Sequence, residues 1–293
     1  MRNRKNDPKS LLMLVSSMII FGSVGLFRRN IPLSSALLSF TRGILGGGLI
    51  LVFMKFRKKG TSKIGAQQIL LLSLTGAAIG INWILLFEAY NYTTVAVATL
   101  CYYMQPTIVV LLAPLLFKEK LTVKKLICAT AAIIGMALVS GVFGGTEGQN
   151  SNIKGILFGL GAAVFYSTVV IMNKKISGID AYQKTTIQLL SAGAVMIPYL
   201  LLTNGFVTGR PDATTIILLL IMGIVHTGLA YVLYFGSMDG LRTQSVALLS
   251  YIDPVSALLL SAVFLREPLN LSGIIGAVMI IGSAVISEIH AEE

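Results

Sequence analysis

Residues 87–106 read FEAYNYTTVAVATLCYYMQP, and residues 235–254 read FGSMDGLRTQSVALLSYIDP. Each stretch is largely apolar and ends on a polar side chain followed by proline, Gln105-Pro106 and Asp253-Pro254. Proline lacks a backbone N–H and interrupts a helix, so each ending predicts a kink. Two such endings predict that the chain is built from two related halves.

The amino-acid composition indicates a membrane protein. Of the 293 residues, 55% are hydrophobic and 12% are charged, whereas about a quarter of the residues in an ordinary soluble domain are charged. A soluble core of this size could not bury so much apolar surface, so lipid must cover it. The net charge of +11 comes from short basic clusters between apolar runs, which is typical of membrane topology and argues against nucleic-acid binding.

The apolar runs are long enough to cross a bilayer. A transmembrane helix needs about 20 mostly apolar residues, whereas a barrel strand shows about ten residues of alternating polarity. The runs are too long and too continuously apolar for strands, which predicts an all-α membrane protein with ten transmembrane helices. The predicted spans are 10–28, 34–54, 65–88, 94–117, 124–143, 154–172, 184–203, 213–236, 244–265 and 269–287.

The positions of lysine and arginine predict the orientation, because cytoplasmic loops carry an excess of both. With a cytoplasmic N-terminus, most of the 23 basic residues fall on the cytoplasmic side. We therefore expect both termini there and a location in the plasma membrane. The pair Arg28-Arg29 violates the pattern by following the first span. No small-residue cleavage site follows that span, so we expect it to be retained as a helix.

A gapless alignment at an offset of 148 residues, which continues past the two opening stretches, tests the idea of related halves. It pairs identical residues, Tyr103 with Tyr251, Pro106 with Pro254 and Glu119 with Glu267. A weaker match joins FGSVGLFRRNI (21–31) to FYSTVVIMNKKI (165–176), which leaves five helices per repeat. Because five is odd, the repeats at 1–147 and 148–293 enter the membrane in opposite orientations. Inverted repeats are typical of transporters, whose binding site lies near the midplane between the halves.

Five motifs carry a resemblance to a known family: FGS (21–23), FTRG (40–43), YNYTTVAVATLCYYMQP (90–106), FKEKLT (117–122) and LREPLN (265–270). Over essentially its whole length the chain resembles the ten-helix EamA branch of the drug/metabolite transporter superfamily. The resemblance implies two inverted five-helix bundles, a central cavity lined chiefly by helices 1, 3, 4, 6, 8 and 9, and alternating access. Members of that superfamily move amino acids, sugars, nucleotide-sugars and drugs, so the resemblance does not identify a substrate.

Three titratable side chains are predicted deep in the membrane, where charges are costly and mark functional sites. They are Arg42 in helix 2, His226 in helix 8 and Asp253 in helix 9. We interpret Asp253 as the leading site residue, a carboxylate that binds substrate or a proton beside the kink at Pro254. The alternative is that Asp253 is the internal ionic partner of Arg42 and holds helices together.

The other polar candidates also have structural alternatives. Gln105 is predicted to face Asp253 across the cavity, or else to form a hydrogen bond between helices. Arg42 can clamp a carboxylate or phosphate with its planar fork, although the resemblance implies arginine here for different substrates and hence a structural role. His226 can relay protons or hydrogen-bond a neighbouring helix. Glu88, at the outer end of helix 3, is either a gating and proton-coupling residue or a water-exposed interfacial one.

Aromatic side chains of helices 3, 4, 8 and 9 are predicted to line the same cavity, namely Trp83, Phe87, Tyr90, Tyr102, Tyr103, Tyr231, Tyr234 and Tyr251. Such walls can hold an organic cation through cation–π attraction or pack against an amino-acid side chain. The alternatives are ordinary helix packing and an interfacial belt. The belt alternative suits Tyr90, Tyr92 and Tyr182.

These features predict a secondary active transporter, an exporter or exchanger that moves a small polar, amino-acid-like metabolite by alternating access, with proton coupling at Asp253. The sequence contains no phosphate-binding loop, so a gradient must supply the energy. The alternative is a transporter of organic cations or drugs, which aromatic walls and an acidic residue would suit.

Other function classes fit the sequence less well. An intramembrane enzyme is not expected, because HExxH, GxSxG and paired membrane aspartates are absent and the only histidines are His226 and His290. A channel would need a selectivity ring, usually formed by symmetric subunits. Cys101 and Cys128 lack metal-ligand spacing, so we expect no catalytic residue, metal site or cofactor. The expected partners are the lipid bilayer and a small-molecule substrate, without nucleic acid, for a monomer or homodimer.

Overall fold

The computed structural model describes residues 7–57, 62–117, 122–139, 149–203, 205–206, 211–238, 240–241, 245–246, 249–268 and 270–289. Within these ranges the chain forms ten helices and no β-strand, with helical residues 245–246 and 249 preceding the ninth helix. The helices are α1 (Pro8–Arg29), α2 (Ser35–Phe56), α3 (Ala66–Tyr92), α4 (Val95–Tyr102 and Gln105–Phe117), α5 (Val123–Val139), α6 (Gln149–Lys174), α7 (Ala181–Leu202), α8 (Ala213–Met238), α9 (Ile252–Phe264) and α10 (Leu271–Ile289). Each helix corresponds to one predicted span, so the all-α, ten-helix prediction is confirmed.

The helices have the length and surface of a multi-pass membrane protein. Seven of those in the described ranges, α1 to α4 and α6 to α8, are long and apolar enough to cross a membrane. Two more, α9 and Leu271–Ile286 of α10, are shorter apolar helices. Large apolar side chains are exposed, for example Phe56 at 83%, Leu115 at 81% and Leu202 at 86%. Surface of this kind is stable against lipid and costly against water.

Four of the helices are interrupted. α1 breaks at Ser23, α7 breaks at Val195, and α8 contains a π-helical segment, Ile221–Leu229. α4 breaks at a turn formed by Tyr103 and Met104. A second turn at Ser250 and Tyr251 precedes α9. The prolines that follow the two turns, Pro106 and Pro254, lie in the first turn of the next helical segment, where a missing N–H removes no helical hydrogen bond.

The packing of the helices follows an internal symmetry. α3 packs on α6 and α7, whereas α1 and α2 both pack on α8. α4 packs on α6 and α1 packs on α9, and three further close pairs are α2 with α7, α5 with α10 and α4 with α9. Exchanging each helix with the one five places away reproduces the same set of pairs. The fold is therefore two five-helix repeats, which confirms the predicted repeat architecture.

Parts of two predictions fall outside the described residues. The boundary that we place between residues 147 and 148 belongs to the undescribed range 140–148, so it stays a prediction. Glu119, the sequence counterpart of Glu267, lies outside as well. Glu267 itself is described, and its position is given below.

Aspartate side chains cap the starts of three helices. The carboxylate of Asp7 accepts hydrogen bonds from the backbone N–H and the hydroxyl of Ser10 at 3.0 and 2.9 Å, and these bonds lower the pKa of Asp7. Asp180 caps α7 by accepting hydrogen bonds from the backbone N–H groups of Tyr182 and Gln183. At the start of α8, the side-chain and backbone hydrogen bonds with Thr215 lower the pKa of Asp212.

Two of the three tyrosines that suit the belt alternative are buried, so that alternative is wrong for them. Tyr182 is 5% exposed, its ring lies 4.4 Å from the Arg57 guanidinium, and Arg57 also pairs with Asp180 at 3.1 Å. Tyr90 is 4% exposed and lines the central cavity. Tyr92 is 39% exposed, as a belt residue would be.

Candidate functional site

A cavity of about 320 Å³ lies where the two repeats meet. Its walls come from α1, α2, α3, α4, α6, α8 and α9, together with the turn before α9. All the side chains that the sequence predicts to bind substrate line it: Arg42, Trp83, Tyr102, Tyr103, Gln105, Tyr231, Tyr251 and Asp253. Pro106 also lines the cavity. Pro254 is buried and is not among the lining residues. The structure thus brings the predicted set together, and substrate binding by it stays a prediction.

The two helix breaks meet at the cavity. The hydroxyl of Tyr103 donates a hydrogen bond to Oδ2 of Asp253 at 2.5 Å. The backbone carbonyl of Gln105 accepts a hydrogen bond from Ser167 of α6 at 3.2 Å. The break in α4 is therefore held by groups from the second repeat, and the carboxylate of Asp253 is held by a group from the first.

Arg42 is a second charged residue in the cavity wall. The residue is 4% exposed, and its Nε donates to the hydroxyl of Thr227 at 2.9 Å. Its guanidinium lies 4.4 Å from the ring centre of Trp83 and 5.2 Å from that of Phe87. Among the described residues, no nitrogen of Arg42 lies within 4.0 Å of a carboxylate oxygen. The alternative in which Asp253 is the ionic partner of Arg42 is therefore wrong for this conformation.

Aromatic rings form a large part of the cavity wall. The Tyr102 ring lies 5.7 Å from that of Tyr103 and 5.4 Å from that of Tyr166. On the other side, the Tyr231 ring lies 5.2 Å from that of Phe21. These centroid distances are those of favourable aromatic pairs, so the wall is packed around the cavity.

Tyr90 and Tyr234 of the predicted aromatic set also line the cavity, whereas Phe87 is not among its lining residues. Several other cavity residues were not predicted, among them Phe21, Gly22, Thr99 and Tyr166. A signal was present for two of them. In the match of FGS (21–23) with FYS (165–167), Gly22 falls on Tyr166, and both line the cavity. Gly22 lets α1 approach α9, because a Cβ there would lie 2.5 Å from the carbonyl oxygen of Asp253. Equivalent positions of a repeat thus contribute a ring in one half and a close helix contact in the other.

His226 and Glu88 are not among the residues that line the cavity. Nε2 of His226 lies 2.9 Å from the hydroxyl of Ser23, and Nδ1 lies 3.3 Å from the carbonyl oxygen of Ile221. Glu88 accepts a hydrogen bond from Asn91 at 3.2 Å near the end of α3. His226 is thus placed in a contact between α8 and α1, and Glu88 bonds a residue of its own helix. The proton-coupling role of both stays a prediction.

Glu267 joins the two repeats at one end of the bundle. Its carboxylate pairs with Arg29 at 3.2 Å and accepts the backbone N–H groups of Val95 and Ala96 at 3.0 and 3.3 Å. We call these four residues the Glu267 clasp. The side chain of Glu267 is only 10% exposed. Val95 and Ala96 begin α4, and the positive end of that helix dipole favours a carboxylate at this place.

The pair Arg28-Arg29, which violates the charge pattern, makes contacts within the protein. Arg29 belongs to the Glu267 clasp, and Arg28 forms buried hydrogen bonds. Arg29 also donates to the carbonyl oxygen of Thr93 at 2.7 Å. Arg28 is 5% exposed and donates to the carbonyl oxygen of Ile31 at 2.8 Å and to Asn91 at 3.2 Å. Arg28 is thus buried and Arg29 is 37% exposed, and both make contacts within the protein that account for basic residues at this place.

Comparison with known proteins identifies relatives over the whole chain. Residues 8–141 and 153–288 each match the family model described as "EamA-like transporter family". The match occurs once in each repeat.

Of three curated relatives, two are named as transporters and the third is named simply as a protein. "Uncharacterized transporter YxxF" of Bacillus subtilis (strain 168) is 29% identical over 98% of this chain and 92% of its own length. An "Uncharacterized transporter" of Archaeoglobus fulgidus is 26% identical over 94% of each chain. "Protein PecM" of Dickeya dadantii (strain 3937) is 28% identical over 71% of this chain and 69% of its own length.

A solved crystal structure has the same fold. It superposes with a TM-score of 0.64 and 18% sequence identity, covering 97% of this chain and 98% of the other. At this identity the likeness concerns the arrangement of helices alone.

Proposed function

Because the chain belongs to the EamA-like transporter family, we propose that it is a secondary active transporter that exports or exchanges a small polar, amino-acid-like metabolite by alternating access. The observation that carries the proposal is the cavity between the two repeats, with Arg42 and Asp253 both in its wall. Binding sites of inverted-repeat transporters lie at this interface.

The charges of the cavity support a substrate that carries both signs. Arg42 and Asp253 line one cavity without forming an ion pair with each other. An amino acid can supply a carboxylate to the first and an ammonium group to the second. A buried charge is costly unless it is paired, so a zwitterion would offset the cost at both positions at once. The volume of about 320 Å³ is at the lower end for ligand pockets, which suits a small molecule.

The second candidate is transport of organic cations or drugs. It is favoured by the aromatic wall, in which Tyr102, Tyr166 and Tyr231 lie around the same space as Asp253. Cation–π attraction and one carboxylate would hold a cation there. Arg42 in the same wall disfavours it, because like charges repel.

The energy source in the proposal is a gradient, with Asp253 as the group that exchanges a proton or the substrate's cationic group. Its carboxylate is held by Tyr103 and has no lysine or arginine within 4.0 Å among the described residues. A carboxylate in such a position can change its charge without breaking an ion pair. Substrate and proton can therefore compete for it.

In the proposed cycle, the two repeats rock against each other and open the cavity to one side at a time. The Glu267 clasp joins α1 and the start of α4 to the segment after α9, so it must break when this end opens. The predicted topology places this end outside the cell. Alternating access thus requires the clasp to be strong enough to close and weak enough to open.

The proposal includes a plasma-membrane protein with both termini in the cytoplasm, acting as a monomer or homodimer without catalytic activity. Reporter fusions test the topology: green fluorescent protein at the C-terminus should fluoresce, and alkaline phosphatase at the same place should be inactive. The opposite pair of results would reverse the orientation.

Counterflow in proteoliposomes tests the transport function. Vesicles that contain the purified protein are loaded with one compound, and uptake of the labelled compound is followed. The panel comprises the proteinogenic L-amino acids, tetraphenylphosphonium and ethidium as organic cations, and glucose. Saturable counterflow of an amino acid is expected. Counterflow of the cations alone would favour the second candidate, and uptake that does not saturate with any compound would contradict a carrier.

A further inference from the structure

The π-helical segment of α8 carries a side chain that contacts Arg42. Residues Ile221–Leu229 form the segment, and the hydroxyl of Thr227 donates to the carbonyl oxygen of Met222, five positions back, at 2.9 Å. Segments of this kind are rare and occur frequently at functional sites. Thr227 is fully buried. Neither the segment nor Thr227 was predicted from the sequence.

The hydroxyl of Thr227 has a defined orientation. Because its proton is directed at Met222, its oxygen is free to accept the Nε–H of Arg42, which lies 2.9 Å away. A close approach of α2 and α8 makes this contact possible. Gly46 lies one turn beyond Arg42 in α2, and a Cβ on it would lie 2.8 Å from Cβ of Thr227. A larger residue at Gly46 would push Thr227 away from Arg42.

The remaining surfaces of the guanidinium are also determined by neighbours. The rings of Trp83 and Phe87 lie 4.4 and 5.2 Å from its carbon atom. With Nε bound to Thr227, the two terminal nitrogens have no hydrogen-bond partner among the described residues. In the described part of the chain, the only side-chain nitrogen or oxygen that is buried without a partner belongs to Arg28. The two terminal nitrogens of Arg42 therefore keep some exposed surface, and Arg42 lines the cavity. A planar pair of donors is thus presented to whatever enters.

We infer that Thr227 is a positioning residue, which holds Nε of Arg42 so that its two terminal nitrogens bind a carboxylate of the substrate. The inference rests on the proposed function and names the group through which the substrate is recognised. Two parallel N–H groups match the two oxygens of a carboxylate. Without the hydroxyl of Thr227, the buried Nε–H would lack an acceptor, and the guanidinium would rotate to find one.

Removal of the hydroxyl tests the inference in the full-length protein. The probes are L-leucine, L-threonine and L-phenylalanine, each compared with its carboxamide, in which the carboxylate is replaced by a neutral group. Binding to the purified protein is measured by calorimetry and by thermal stabilisation. We expect wild type to bind at least one carboxylate more tightly than its carboxamide. Thr227→Val should raise the Kd of that carboxylate about tenfold and leave the Kd of the carboxamide unchanged.

Rescue and a matched control separate positioning from a general structural effect. Thr227→Ser keeps the hydroxyl and should restore the wild-type Kd. Thr75 is a buried threonine of α3 whose hydroxyl also donates to a carbonyl and accepts from a side chain, Gln188, at 2.8 Å. Thr75→Val should leave the preference for the carboxylate intact. Thr227→Ala provides a second removal if Thr227→Val does not fold.

Three outcomes would overturn the inference. The first is a wild-type Kd for the carboxylate in Thr227→Val, and the second is an equal loss of binding for the carboxylate and the carboxamide. The third is that no carboxylate binds the wild-type protein. In that case counterflow with the cations and glucose still decides the proposed transport function separately.

Discussion

The hydroxyl of Tyr103 donates a 2.5 Å hydrogen bond to Asp253 and thereby links the equivalent helix breaks of the two repeats. The contact crosses the cavity wall from the first repeat to the second. The two breaks differ in charge, since Gln105 is neutral where Asp253 carries a carboxylate. The asymmetry of the repeat is therefore concentrated at the proposed site.

Asp253→Asn should abolish counterflow while the protein still inserts and folds. Asparagine keeps the size and an acceptor for Tyr103 but cannot carry the charge. The measurement is counterflow at about pH 5 to 8, where coupling to physiological protons would act, with gel filtration as the check on folding. Tyr103→Phe is the comparison, because it removes the hydrogen bond and keeps the charge, and it should retain measurable counterflow. Wild-type rates of Asp253→Asn across the range would exclude a coupling role.

Arg42→Lys should weaken binding of a carboxylate substrate by about tenfold or more. Lysine keeps the charge and loses the planar pair of donors as well as the Nε contact with Thr227. The apparent KM in counterflow measures the effect. An unchanged KM would assign Arg42 to helix packing alone.

Glu267→Gln should open the clasped end of the cavity more often. The change removes the charge that pairs with Arg29, and a loss of about 1 kcal/mol would shift a two-state equilibrium about fivefold. A cysteine at Thr99, which lines the cavity, reports access to a membrane-impermeant maleimide when Cys101 and Cys128 are replaced by alanine. Labelling should become about fivefold faster. Lys154→Gln neutralises another charge near this end, at the start of α6, and should leave the rate unchanged.

Arg266→Gly should stabilise the protein. Arg266 precedes Glu267 and has a φ of 53°, in the left-handed region that glycine adopts without steric cost. Relief of this strain is worth about 0.5 to 1 kcal/mol. The thermal unfolding temperature in detergent should rise, whereas Arg266→Val should lower it. A fall in Arg266→Gly would mean that the arginine side chain contributes more than its backbone costs.

The cap of α8 should contribute to stability at neutral pH. The hydrogen bonds with Thr215 lower the pKa of Asp212 below its ordinary 3.8. Because the pKa is lower in the folded state, the stabilisation by this cap is complete above the ordinary pKa of 3.8. It is lost as the pH falls through the folded-state pKa. Asp212→Ala should therefore unfold at a lower temperature than wild type at pH 7. The difference between the two unfolding temperatures should be constant down to about pH 5 and should narrow as the pH falls through 3.8. Narrowing near neutral pH would contradict this assignment.

The residues that the sequence analysis placed at the cavity share one property, since each is polar or aromatic within a span that is otherwise apolar. Such residues are costly or conspicuous in lipid, so they can be identified without a structure. Tyr90 and Tyr182 show the limit of this reasoning. A tyrosine near a helix end suits the interface as well as a buried contact, and only the neighbouring helices decide between them.

The number of helices, the repeat and part of the cavity lining were determined by the sequence itself, because lipid requires long apolar runs and because two halves of a repeat share the same breaks. Only the tertiary structure decided which groups meet. It paired Asp253 with Tyr103 and not with Arg42, and it placed Thr227 against Arg42 and Glu267 against Arg29. Each of these contacts joins helices far apart in the chain, and no local pattern of residues specifies which faces of two such helices come together.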